Sequence, residues 1–172
     1  GSRPDTYGAY PMKFMGGNSY QIAGVQFAEV EVDTWTGIVR ATEILALHDC
    51  GRVMNELSCR SQIQGGITLG TSYALMEQRI MDTKRGVMLN PNLESYKIAG
   101  ALDIPGIEIV FTEVHTGANN TGAIGIGEPA TIPTAAAIAC ALYNAIGAPV
   151  RDLPLTPDRV LAALGLIPRR ED

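Results

Sequence analysis

The stretch Gly125-Ile126-Gly127-Glu128-Pro129 sets one carboxylate beside a bare glycine backbone, just ahead of an alanine-rich run. The two glycines let the chain turn sharply and let another group come close to its backbone. Pro129 is a residue that starts helices, and residues 131–146 read as a helix. Glu128 is therefore expected at a helix mouth. There the free N–H groups and the helix dipole favour an ionised carboxylate, as a general base requires. Burial beside an apolar helix would push its pKa the other way, toward the working range of a base. The plainer alternative is a Glu that caps the helix and pairs with a neighbour. For a lone Glu at a helix start, that alternative is the more common one.

Two further groupings carry polar chemistry. Gln62-Ile63-Gln64-Gly65-Gly66 puts an amide next to two glycines on a predicted helix, and an amide can both donate to and accept from a planar heterocycle. An ordinary solvated Gln is the competing reading. His48-Asp49-Cys50-Gly51-Arg52 closes a predicted strand and reads as a turn or ion-pair feature, with His48 a packed imidazole. Residues 125–130 also fit the dinucleotide pattern GxGxxG/A, with Asp152 roughly 20 residues on. That pattern must follow the first strand of a βαβ unit, and here the nearest good strand ends near Val114. A Glu would also repel a pyrophosphate.

The elements that must hold these residues alternate without regular βαβ spacing, so the expected class is α+β. Residues 22–33 and 38–48 read as a β-hairpin around the turn 33–37. The apolar phase shifts between Phe27 and Val30, which predicts a bulge or a strand covered on both faces. A helix is expected over 57–78, interrupted by Gly65, Gly66 and Gly70. Each costs about 1 kcal/mol against Ala in an exposed helix interior, so close contact with another backbone or a ligand is implied. Residues 80–88 read as a strand-like piece with a turn at 82–86. A short extended segment runs through Tyr96, a turn covers 103–106 and a strand covers 107–114. A polar loop spans 116–121. A last helix covers 156–165, with Thr156 as its cap and Pro157 in its first turn. The expected organisation is an irregular arm over 1–20, a subdomain over 21–165 and a tail over 166–172. Gly1-Ser2 reads as a tag remnant.

Composition narrows the function. The chain has 172 residues, 46% apolar and 18% charged, with a net charge of −5. That is enough for a buried core, and no basic stripe invites nucleic acid or an anionic membrane. No apolar run is long enough for a membrane span. Three widely spaced cysteines, Cys50, Cys59 and Cys140, read as reduced thiols of a cytoplasmic protein rather than a disulfide frame or zinc site. With two histidines the chain does not build a metal site alone.

Taken together, four segments resemble the C-terminal part of the large, molybdenum-binding subunit of the xanthine dehydrogenase and aldehyde oxidase family. They are "HDCGRVMN", "SQIQGGITLGTSYALMEQ", "LDIPGIEIVF", and "GAIGIGEPATIPTAAAIACALYNAIG" followed by "RDLPLTPDRVLAAL". The likeness covers roughly residues 20–164. It implies a hairpin and short mixed sheet packed against two or three helices. It implies that Glu128 is the base of a molybdenum hydroxylase, which oxidises an electron-poor carbon with water-derived oxygen. It assigns Gln62, Gly65, Gly66, Gly125 and Gly127 to a molybdenum–pterin cofactor, molybdopterin or its cytosine dinucleotide form, shared with sequence outside this chain. Iron–sulfur clusters and FAD would sit on other subunits or domains, since the chain has no cysteine pattern for a cluster. The implied partners are the rest of the subunit, iron–sulfur and flavin subunits, and a small-molecule substrate. Alone, such a chain should not turn over. The family usually has Asn-Pro where this chain has Asn55-Glu56. Two readings from other classes stand beside this one: a non-catalytic assembly module and a dinucleotide-binding domain.

Overall fold

A computed structural model describes residues 22–114 and 120–169. The expected arm over 1–20, most of the loop at 116–121 and the last three tail residues lie outside the described residues.

Strand β1 (Ala23–Val32) and strand β2 (Val39–Asp49) form the expected antiparallel hairpin. Its turn is closed by Asp33, whose Oδ1 accepts from the N–H groups of Trp35 and Thr36 at 2.9 and 3.3 Å. The register jumps between Glu29 and Val30, whose partners are Glu43 and Ala41. The extra residue of this bulge is therefore Thr42, on β2 rather than on β1. Strand β1 keeps strict alternation: Gln26, Ala28, Val30 and Val32 turn inward, while Val25 and Phe27 turn outward and are exposed. The phase shift seen in the sequence thus comes from two apolar residues on the outer face.

Helix α1 (Glu56–Leu75) follows, three residues shorter at its C-terminal end than expected. Asn55 caps it, its side chain accepting from the Ser58 N–H at 2.9 Å. Glu56 occupies the first turn and pairs with Arg60 at 2.8 Å. An acidic residue and a proline both suit that position, so Asn-Glu serves here where Asn-Pro is usual.

Residues 80–88 form a small hairpin of strands β3 (Met81–Asp82) and β4 (Val87–Met88) around the expected turn. Asp82 Oδ1 closes its turn through the N–H groups of Lys84 and Arg85. The segment before Tyr96 is a turn rather than extended, with Tyr96 N–H bonded to Asn92 O at 2.8 Å. Asn92 also takes Ser95 through its side chain, a local alternative to an extended backbone.

A 3-10 turn at Ala101–Asp103 leads to strand β5 (Gly106–Phe111), which pairs parallel to β2. The sheet order is β1-β2-β5, with α1 inside the β2–β5 crossover. Helices α2 (Thr134–Ile146) and α3 (Pro157–Ala163) complete the α+β fold. Thr156 stands at the cap position of α3, its carbonyl accepting from the Val160 N–H at 3.0 Å, but its side chain makes no bond to the helix N–H groups. Its hydroxyl goes instead to the Asp158 carboxylate, which it holds below the usual carboxylate range.

Helix α2 packs on β1 and α1 packs on α2. The core between them gathers Ile44, Ala46 and Ile109 from the sheet, Ile63, Ile67 and Ala74 from α1, and Ile138 and Leu142 from α2. Burying each of the larger side chains stabilises the fold by roughly 1.5–3 kcal/mol. The glycines of α1 divide into two classes. A methyl at Gly66 would lie 2.8 Å from Ala130 Cβ, and one at Gly70 would run into the Thr134 side chain. A methyl at Gly65 would meet nothing within 4 Å. Gly66 and Gly70 therefore set the approach of the two helical segments, and Gly65 does not.

His48 is a packed imidazole, as expected, 1% exposed and lying against Gly24 of β1. Its Nδ1 has no hydrogen-bond partner.

Two outcomes follow. Gly66→Ala and Gly70→Ala should each destabilise the chain by about 1–3 kcal/mol through overpacking. Gly65→Ala should raise its Tm, since an exposed helical Gly costs about 1 kcal/mol against Ala. Thermal melts of the three variants check the contrast. Burial lowers the His48 pKa from its ordinary 6.5. Above pH 6.5 the imidazole is neutral whether folded or not. Below it the unfolded chain takes up a proton that the folded chain resists, so stability falls until the lowered pKa is passed. The Tm should drop between pH 7 and pH 5, and less steeply in His48→Gln.

Candidate active site

The segment carrying Glu128 is fastened at both ends and in the middle by groups from three other elements. Upstream, Gly51 forms a single antiparallel bridge with Ala123 just beyond the end of β2. Arg52 N–H donates to Gly122 O and Ile124 N–H to Cys50 O, both at 2.8 Å. The grouping at 48–52 is therefore a turn that docks the glycine segment. Asp49 organises it, accepting from Gly51 N–H at 2.9 Å and from Val114 N–H at 3.1 Å.

In the middle, Gln62 Nε2 donates to Gly127 O at 2.7 Å. The adjacent turn is closed by Thr131 N–H to Glu128 O at 2.9 Å. Downstream, Gln26 Nε2 donates to Ala130 O at 2.7 Å and Tyr73 OH to Thr131 O at 2.8 Å. Thr134 Oγ1 donates to Gln26 Oε1 at 2.7 Å and lies 3.2 Å from Ala130 O.

This arrangement corrects two expectations about Glu128. The helix begins at Thr134, not at 131, and Pro133 rather than Pro129 precedes it. The carbonyls of Ala130 and Thr131, which an earlier start would draw into helical bonds, are held by Gln26 and Tyr73 instead. Glu128 thus sits on a turn six residues ahead of α2, so the helix dipole is not beside it. Its side chain is also exposed, not buried against an apolar helix. The simple cap-and-pair alternative gains nothing either, because Glu128 makes no side-chain hydrogen bond or ion pair to the described residues.

Of the remaining candidates, Gln62, Gly65, Gly125 and Gly127 come together. Gln62 and Gly65 lie one turn apart on the same face of α1, and the Gln62 amide is bonded to Gly127. Methyl groups at Gly65, Gly125 or Gly127 would meet nothing within 4 Å. The three glycines thus present bare backbone to open space, with the Glu128 carboxylate next to them. Gly66 is different. It is buried against Ala130, so its lack of a side chain serves packing. A flat ring system brought from outside could lie along this wall and bond the free Oε1 of Gln62, so the residues present fit one side of a pterin group. Among the described residues no three His, Cys, Asp or Glu side chains converge as a metal cage.

Dinucleotide binding loses its structural context. Residues 125–130 follow an isolated bridge rather than a strand, and no helix starts behind them until Thr134. Asp152 pairs with Arg169 at 2.8 Å. A cavity of about 700 Å³ does exist, lined by Arg151, Asp152, Arg159 and Arg169 among others, but Glu128, Gln62, Gly65, Gly66, Gly125 and Gly127 do not line it.

Gln26, Tyr73 and Thr134 were not singled out from the sequence. One signal was there: Gln26 occupies the same inward phase of β1 as Ala28, Val30 and Val32, where a polar side chain needs a buried partner.

Comparison with known proteins bears on the whole arrangement. A family model described as the molybdopterin cofactor-binding domain matches residues 5–105. The putative xanthine dehydrogenase molybdenum-binding subunit of Escherichia coli is 39% identical over 137 residues, which is 80% of this chain and 18% of that protein. Quinoline 2-oxidoreductase from Pseudomonas putida superposes with a TM-score of 0.74 at 31% identity, over 81% of this chain and 18% of that one. Aldehyde oxidoreductase from Desulfovibrio desulfuricans gives 0.73 at 36% identity, over 83% and 15%. The chain thus spans less than a fifth of each relative's length. With the matched residues covering more than half of it, the chain belongs to the molybdopterin cofactor-binding domain family, as a part of a molybdenum-binding subunit of the xanthine dehydrogenase and aldehyde oxidase type.

Proposed function

We propose that this chain forms the base-bearing wall of the active site of a molybdenum hydroxylase. Such an enzyme oxidises an electron-poor carbon of a purine, aldehyde, N-heterocycle or aromatic thioester, with oxygen taken from water. The observation that carries the proposal is the Glu128 carboxylate, exposed and unpaired among the described residues, on a turn whose backbone is fastened on both sides and which is flanked by the open Gly125 and Gly127.

Glu128 acts as the general base: its carboxylate takes up the proton released as the oxygen nucleophile forms. Gln62 orients the cofactor through its carboxamide oxygen while its nitrogen holds Gly127. Gly65, Gly125 and Gly127 let the ring system lie against backbone. The molybdenum–pterin group, as molybdopterin or its cytosine dinucleotide form, supplies the two-electron oxidation when bound. Substrate-binding groups and the other side of the cofactor pocket come from the rest of the subunit. Electrons pass to iron–sulfur centres and to flavin on partner subunits or domains. This reading puts the assembled enzyme in the cytoplasm, where thiols stay reduced; among the described residues no helix is long and apolar enough to cross a membrane.

A second reading, a non-catalytic assembly module, draws on the outer sheet face. Phe27 is 59% and Val25 46% exposed there, and a partner could cover them.

In the assembled enzyme Glu128→Gln should lower kcat by at least about 10²-fold, the scale of a lost general base, with molybdenum content unchanged. Near wild-type turnover would favour the assembly module. Gly65→Ala should leave the chain folded yet reduce molybdenum–pterin content, measured by metal analysis. Full occupancy in that variant would remove Gly65 from the cofactor wall.

A further inference from the structure

From the fastening of the 127–131 turn, we infer that Gln26 and Tyr73 are positioning residues for Glu128. The inference rests on Glu128 being the base. Neither side chain touches the carboxylate. Both act on the carbonyls two and three residues downstream of it, Ala130 O at 2.7 Å and Thr131 O at 2.8 Å.

Gln26 is costly where it stands. It is 6% exposed, in an inward strand position whose neighbours are Ala28, Val30 and Val32. A carboxamide buried there is tolerated only because it is bonded at both ends, to Ala130 O and to the Thr134 hydroxyl. An aliphatic side chain would fill the same sheet position but lose the contact with His48 Nε2 at 3.4 Å. It would also not anchor the Ala130 carbonyl to the sheet. Without that anchor and the Tyr73 bond to Thr131 O, the segment between Glu128 and Pro133 keeps only its own turn and the Thr134 hydroxyl on Ala130 O. The turn bonded from Thr131 N–H to Glu128 O would then move, and the carboxylate with it. Displacement of about 1 Å at a reacting group can cost on the order of 10²-fold in rate. Tyr73 makes the same kind of bond from α1, so two separate elements, the sheet and the first helix, hold the segment between Glu128 and Pro133.

The test is a kinetic cycle in the assembled molybdenum enzyme containing this chain, with Gln26→Met, Tyr73→Phe and Glu128→Gln made singly and Gln26→Met and Tyr73→Phe each combined with Glu128→Gln. The readouts are kcat, KM, molybdenum content and Tm. Positioning through Glu128 predicts that Gln26→Met and Tyr73→Phe each lower kcat about tenfold or more, with KM and molybdenum content within twofold of wild type. It also predicts that neither lowers the residual activity of Glu128→Gln any further, since there is no base left to misplace. A side chain that only supports the fold would lower activity by the same factor in both backgrounds, and that result overturns the inference. So does a kcat within twofold of wild type in both single variants while Glu128→Gln is inactive. If Glu128→Gln itself keeps near wild-type turnover, the reading of Glu128 as base is what fails. Tyr73→Phe removes one hydroxyl from a half-buried ring, so it decides the matter should Gln26→Met lose its cofactor.

Discussion

The close crossing of α1 on the segment that opens α2 is the constraint on which the rest of this structure depends. Gly66 meets Ala130 and Gly70 meets Thr134, so the backbones approach to a distance that no side chain on α1 would permit. That approach brings Gln62 and Tyr73 within hydrogen-bond reach of Gly127 and Thr131. It also seats Ala130 and Thr134 over β1, where Gln26 finds them. Two elements distant in sequence, α1 and β1, thereby converge on Gly127, Ala130, Thr131 and Thr134.

The arrangement around Glu128 follows from where backbone carbonyls find their donors. A helix normally takes care of its own carbonyls. Here those of residues 127, 130 and 131 are bonded by side chains from other elements, and the helix starts only behind Pro133. The backbone around the carboxylate is thereby fixed while the carboxylate makes no bond to the described residues. A base needs that combination: a defined position and an unoccupied oxygen. The bare glycines next to it leave room for a flat group, and Gln62 keeps one oxygen free while its nitrogen is engaged.

The openness of the site accords with the comparisons. The chain spans less than a fifth of the relatives compared, and the cavity of about 700 Å³ lined by Arg151, Asp152, Arg159 and Arg169 lies apart from Glu128 and the open glycines. The outward Val25 and Phe27 of β1 form an apolar patch that the described residues leave exposed.

Much was legible in the sequence because it is local. The hairpin follows from alternation and from an Asp at its turn, α1 from its apolar residues, α2 from its alanine-rich run, and the Pro157 helix start from residue type. The juxtaposition of a glutamate with bare glycines was visible in five consecutive letters. Tertiary structure alone decided the rest. It separated Gly66, which packs, from Gly65, which is open, although the two are adjacent and chemically identical. It placed the bulge residue on β2, because register is a property of two strands and not of one. It anchored the carbonyls of Ala130 and Thr131, because their donors lie 58 to 104 residues away along the chain. Local sequence determined which groups the site contains, and contacts between distant elements determined where each of them stands.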